Sequence, residues 1–329
     1  MKKIVWLLLA SLIVLLSACV YQGDLPREVV DAKYANAASE FLILPDGARI
    51  HFRDEGAREG LPLVLIHGSM ASLHTWEPWV QQLGEDYRLI TLDLPAHGLT
   101  GAVPSGDYSA AAQERTLQAV VDHLALDQFV LGGSSMGGGV AWRYAAKNLD
   151  RVLGLVLVSA SGPSTWFDED RDSDRGGSAP MVFSLLRQPW FRAIAARIDP
   201  YVLAVQGAKA AYNDSPVVTD ALITRYYELA LREGTRAAIL GRFDKPWQRS
   251  ESPGLESLKM PALILWGEQD SVIPAAYAWR FDAALPASEV IVYEGVGHAP
   301  MEEIPVRSAA DVKGFIRSYI AGRHQALDQ

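Results

Sequence analysis

The sequence predicts an α/β protein: a mostly parallel sheet flanked by helices, with a helical insertion late in the chain. Two observations carry that expectation. Short continuous apolar runs alternate with stretches of helical spacing, the pattern of strands buried on both faces and joined by crossover helices. Between Gly162 and Pro253 the pattern changes to helical stretches rich in aromatics, with no buried strand, and strand-like runs then resume. The chain has 329 residues, 49% of them hydrophobic, enough for one large domain with an insertion.

In chain order, Phe41 to Leu44 and Ala48 to Phe52 flank Pro45-Asp46-Gly47 and read as a β-hairpin. Leu61 to Ile66 is a buried strand that ends in His67-Gly68-Ser69-Met70. Tyr87 to Leu92 is another, ending in Asp93-Leu94-Pro95-Ala96-His97-Gly98. Residues 109–125 have helical spacing, with Leu117, Val120, Val121 and Leu124 on one face. Phe129 to Leu131 then runs into Gly132-Gly133-Ser134-Ser135-Met136-Gly137, followed by a helix from Met136 to Asn148 and a strand from Val152 to Val158. The insertion predicts helices near 180–198, 200–212 and 216–232, with a charged turn at 168–175. Afterwards Ala262 to Trp266 and Glu289 to Tyr293 are strands, ending in Gly267-Glu268-Gln269-Asp270 and Gly295-Val296-Gly297-His298. A helix follows Pro274, and residues 306–321 form a closing helix.

The first 18 residues stand apart. Met1-Lys2-Lys3, an apolar run from Ile4 to Leu16 and small residues form an export signal. That run is short for a spanning helix, which needs about 20 residues. The only cysteine is Cys19, so no intramolecular disulfide and no cysteine-rich metal site is expected. Leu16-Ser17-Ala18-Cys19 resembles the lipobox of bacterial lipoproteins. The resemblance implies cleavage before Cys19, lipidation of Cys19 and attachment to the cell envelope, on the outer membrane facing the periplasm in a cell that has one. A plain signal peptide and an uncleaved anchor are the alternatives. The expected organisation is a signal at 1–18, a tether at 19–38, a core at 39–161 and 254–325, and a helical cap at 162–253. The formal charge of −9, without a basic stripe, argues against nucleic acid and against electrostatic docking on anionic lipid.

Gly133 and Gly137 flank Ser135 at the spacing of a nucleophile elbow, in which a serine sits on a sharp strand-to-helix turn. No Gly-Lys-Ser/Thr follows, which argues against a phosphate loop. The histidines show no metal-ligand spacing, and no cofactor or metal is expected. Ser135, Asp270 and His298 fall at strand ends in the order serine, acid, histidine, where an open parallel sheet gathers its ligands. Together with His67-Gly68 and Asp93-Leu-Pro-Ala-His-Gly98, these motifs resemble the α/β-hydrolase superfamily, from about residue 40 to 322. Ala96 departs from the glycine common at its position. The resemblance implies Ser135 as nucleophile, His298 as base and Asp270 as its orienting acid, with Glu268 the nearest rival. It implies an oxyanion hole from the backbone N–H of Met136 and of Ser69, Met70 being less favoured. Asp93 and His67 are expected to brace their loops. The expected activity is hydrolysis of a small-to-medium apolar carboxylic ester through an acyl-enzyme. A carbon–carbon bond hydrolase, a lactonase or an amidase could use the same triad, and a non-catalytic binding lipoprotein is the alternative of another class. A serine at position 135 argues against the aspartate-nucleophile members.

Overall fold

The computed structural model describes residues 21–167, 185, 187–242 and 254–320. Eight strands form one sheet: β1 (Ser39–Ile43), β2 (Arg49–Gly56), β3 (Leu61–Ile66), β4 (Tyr87–Leu92), β5 (Phe129–Ser134), β6 (Val152–Val158), β7 (Ala262–Gly267) and β8 (Ser288–Tyr293). Their order is β1-β2-β4-β3-β5-β6-β7-β8. β2 is antiparallel to both its neighbours and every other pairing is parallel. The first hairpin turns at Gly47, whose φ of 83° is the left-handed conformation glycine tolerates.

The central strands read as unbroken apolar runs because both faces are covered. In β3, Val64 and Ile66 join one core layer while Leu63 and Leu65 join the other. β7 divides the same way, with Ile264 and Trp266 on one face and Leu263 and Leu265 on the other. Helices Ala110–His123, Met136–Lys147 and Ala276–Ala284 pack on the first face, and Glu77–Leu83 and Pro305–Tyr319 on the second.

The cap leaves the sheet after β6 and returns before β7. It contains helices Pro189–Ala195, Tyr201–Ala211, Asp220–Leu231 and Thr235–Gly241. The last of these has no counterpart in the helices expected from periodicity. The cap is fastened to the core through Glu302, a buried carboxylate beneath the His298 loop. Its Oε1 accepts hydrogen bonds from Thr75, from Tyr212 at 2.8 Å and from Tyr226 at 2.9 Å. Burial raises the pKa of Glu302, and these three hydroxyls and the nearby Arg225 work against that rise.

Residues 21–38, expected as a tether, depart from that expectation. Arg27–Tyr34 is a helix, and the segment straps cap to core. Leu25 N–H donates to Leu231 O at 2.7 Å, and Glu233 N–H to Leu25 O at 2.9 Å. Asp31 receives Arg232 Nε at 2.7 Å and Arg49 Nη1 at 3.0 Å, joining cap and sheet. Arg232 is buried, so Asp31 is the counter-charge that makes its burial tolerable. The signal, Cys19, the charged turn at 168–175 and residues 321–325 lie outside the described residues.

Candidate active site

β5 carries six buried residues to the elbow. There Ser135 adopts φ 52° and ψ −119°, a sparsely populated conformation for a residue with a side chain. Its backbone is held by three bonds. Ser135 N–H donates to Val158 O at 3.0 Å, and its carbonyl accepts from Ser161 N–H at 2.9 Å and Gly139 N–H at 3.2 Å. The flanking glycines are steric necessities. A Cβ at Gly137 would lie 2.2 Å from Ile66 O, and one at Gly133 would lie 2.3 Å from Gly137 O. The loop after β3 presses on the same serine, since a Cβ on Gly68 would stand 3.1 Å from the Ser135 Cβ.

The acid and the histidine meet directly. His298 Nδ1 lies 2.7 Å from Asp270 Oδ2. Asp270 Oδ1 is occupied by the N–H groups of Val272 and Ile273, at 2.8 and 2.9 Å. With its side chain fully buried and both oxygens engaged, the carboxylate fixes the imidazole so that Nδ1 donates and Nε2 is left to accept. The rival Glu268 is exposed, and its backbone N–H donates to Tyr293 O at 2.9 Å. The two loops are pressed together at glycines: a Cβ on Gly267 would sit 1.9 Å from Gly297 O. Glu303 accepts from Gly297 N–H at 3.0 Å and Ala299 N–H at 3.1 Å, bracketing the histidine. The cap contributes too, because Ala211 O receives His298 N–H at 2.6 Å. Ser135, Asp270 and His298 thus follow the carboxyl ends of β5, β7 and β8. No hydrogen bond joins Ser135 Oγ to His298 among the described residues, a link that often tightens only when substrate binds.

His67 and Asp93 brace their loops. Leu94 N–H donates to His67 Nε2 at 3.0 Å, so Nδ1 carries the proton and donates to Gly68 O at 2.7 Å. Burial lowers the pKa of His67, keeping it neutral. Asp93 accepts from Leu73 N–H and Leu99 N–H, both at 2.8 Å, and from His51 Nδ1 at 2.7 Å. Burial alone would raise its pKa, yet the bond to His51 and the surrounding imidazoles bring it well below the usual carboxylate range. Gly98 is close to Asp93, whose carboxyl would lie 2.1 Å from a Cβ there. Ala96, where glycine is usual, adopts φ 70°.

Met136 opens its helix, where N–H groups lack intrahelical acceptors. Ser69 and Met70 are exposed on the loop beside it. A residue that sequence reasoning missed reaches both Ser69 and Met136. Arg242, at the end of the last cap helix, places Nη1 3.2 Å from Ser69 Oγ and 3.1 Å from His97 Nε2, and Nη2 2.9 Å from Met136 Sδ. No carboxylate pairs with it among the described residues. Burial lowers its pKa to about 10, so it remains a cation at neutral pH. Its contacts join positions 106 to 173 residues apart, and no local motif announces them. His97 donates from Nδ1 to Pro95 O and accepts from Arg242. Burial, followed by the Arg242 charge, holds its pKa well below the ordinary histidine value.

A strained serine after β5, a buried aspartate after β7 and a part-buried histidine after β8 share one edge of the sheet, and the model of the alpha/beta hydrolase fold matches residues 62–305. The chain belongs to the α/β-hydrolase family. Among the relatives of this α/β hydrolase is 2-hydroxymuconate semialdehyde hydrolase of Pseudomonas sp. strain CF600, 25% identical over 83% of this chain and 92% of that one. Lipase 1 of Psychrobacter immobilis is 27% identical, over 83% of this chain and 82% of its own. An esterase from Rhodococcus sp. ECU1013 superposes with a TM-score of 0.67 at 28% identity, covering 86% of this chain and 99% of that chain.

Proposed function

We propose that this hydrolase cleaves a carboxylic ester of small-to-medium, apolar character through an acyl-enzyme at Ser135. The observation that carries the reading is the Asp270–His298 pair, held at 2.7 Å at the same edge of the sheet as an elbow whose serine is strained. Ser135 Oγ attacks the acyl carbon and its proton passes to His298 Nε2. The tetrahedral intermediate collapses, and the alcohol leaves with that proton. Water then attacks the acyl-enzyme, giving a proton to the same nitrogen, and Ser135 recovers it as the acid departs. Asp270 keeps Nδ1 protonated and stabilises the imidazolium. The N–H groups of Ser69 and Met136 receive the developing oxyanion, each worth about 3–4 kcal/mol in such sites. The Arg242 cation, in contact with both of their side chains, adds positive potential there.

Relatives named as an esterase and a lipase favour the ester. The semialdehyde hydrolase supports a second reading, cleavage of a carbon–carbon bond by the same three residues. A panel of p-nitrophenyl esters, lactones, amides and vinylogous diketones separates the two. Turnover of short esters in preference to diketones is expected, and the reverse order overturns the ester reading. We further propose that Cys19 is lipidated and holds the enzyme on the cell envelope, so that Cys19→Ser releases it from the membrane fraction. Retention of Cys19→Ser with unchanged lipid labelling contradicts this.

A further inference from the structure

Two cap helices expose apolar side chains where solvent should select for polar ones. Neither Pro189–Ala195 nor Tyr201–Ala211 contains a buried residue. Yet Trp190 is 59% exposed, Ile194 49%, Val202 68% and Leu203 51%, with Tyr201 beside them. Isolated exposed apolar residues are ordinary, whereas a run of them on two consecutive helices marks a contact surface. The charges around the run depart from the rest of the molecule. Between positions 187 and 211 stand Arg187, Arg192, Arg197 and Lys209 against Asp199 alone, in a chain with a net charge of −9. Apolar side chains bordered by basic ones suit a phospholipid headgroup layer, where the former enter the acyl boundary and the latter meet phosphates.

The chain also indicates what covers this face. Tyr21, 64% exposed, bridges to Ile198 in the turn between the two helices, and Gln22 N–H donates to Arg197 O at 3.2 Å. The strap therefore begins at the edge of the apolar face. Cys19 is two residues upstream, which limits its Cα to within about 7 Å of that of Tyr21. A lipid on Cys19 brings the bilayer surface to the same edge. We infer that the cap face of Trp190, Ile194, Tyr201, Val202 and Leu203 docks on the phospholipid surface to which Cys19 anchors the chain. The inference rests on the anchoring reading proposed above. The contact is chiefly apolar, so the overall negative charge does not oppose it as it would oppose purely electrostatic docking.

Nitroxide accessibility tests it on the full chain. Val202→Cys and Leu203→Cys are spin-labelled on the mature protein in phosphatidylcholine vesicles, beside a parent with Cys19 alone. Leu149→Cys serves as control, lying after the helix Met136–Lys147 at the opposite end of the sheet. Probes at 202 and 203 are expected to meet oxygen more than a water-soluble nickel chelate, and the probe at 149 the reverse. Aqueous readings at 202 and 203 that match 149, or a chain found wholly in the soluble fraction, overturn the docking. Membrane retention of Cys19→Ser with lipid-side readings at 202 and 203 supports the docking and removes the anchor instead. Unchanged fluorophosphonate labelling of each variant shows that the fold and the active serine are intact.

Discussion

Ser135 was legible because a nucleophile elbow writes its requirements locally: glycines where backbones touch, and a strand and a helix on either side. Asp270 and His298 were legible by their order at strand ends, and the choice of Asp270 over Glu268 agrees with burial of the one and exposure of the other. Arg242 was not legible, because its contacts with Ser69, His97 and Met136 exist only in three dimensions. If its charge supports the oxyanion, Arg242→Gln lowers kcat about tenfold or more while changing KM for a neutral ester little, as steady-state kinetics will show. An unchanged kcat removes Arg242 from the reaction. His97 offers a pH test. Its pKa is depressed in the fold, so the unfolded chain binds the extra proton, and the associated stability is present above the unfolded value near 6.5 and lost as pH falls. Through this group stability is expected to fall between pH 7 and pH 5. Urea titrations at the two pH values will show that share of the loss missing from His97→Gln.

At the scale of elements, the central strands announced themselves because both faces are buried and their runs are unbroken. The helix Arg27–Tyr34 did not, since it buries only Val30 and makes ionic and side-chain hydrogen bonds to partners far along the chain. Thr235–Gly241 and Glu77–Leu83 are seven residues each, too short to establish a period. Two substitutions test what holds these elements. Gly137→Ala drives a Cβ into the Ile66 and His67 carbonyls, at 2.2 and 2.5 Å, and neither is a flexible side-chain end. A loss of about 3 kcal/mol or more is expected, seen as a lower thermal midpoint together with lost serine labelling. Asp31→Ala leaves the buried Arg232 without its counter-charge, and a loss of about 3 kcal/mol in urea unfolding is expected. An Arg232→Met variant in the same background should recover part of it, because the unpaired charge is then gone.

For the whole molecule, the sequence separated core from insertion because a change of periodicity marks the boundary, and the order of motifs indicated the superfamily. It did not reveal how tightly the parts are joined. Glu302 collects Thr75 from the core and Tyr212 and Tyr226 from the cap, while Asp31 of the strap pairs with Arg232 of the cap and Arg49 of the sheet. The local excess of basic and apolar residues on the cap was hidden by the acidic total, which averages over the surface. We propose a nucleophilic Ser135 beneath a cap that docks on a membrane, and the nucleophile is the central claim. The most direct measurement is mass spectrometry of the protein after reaction with a fluorophosphonate. The account predicts one adduct, on the peptide carrying Ser135, absent from Ser135→Ala along with esterase turnover. An adduct that persists in Ser135→Ala, or turnover that survives the substitution, would contradict it.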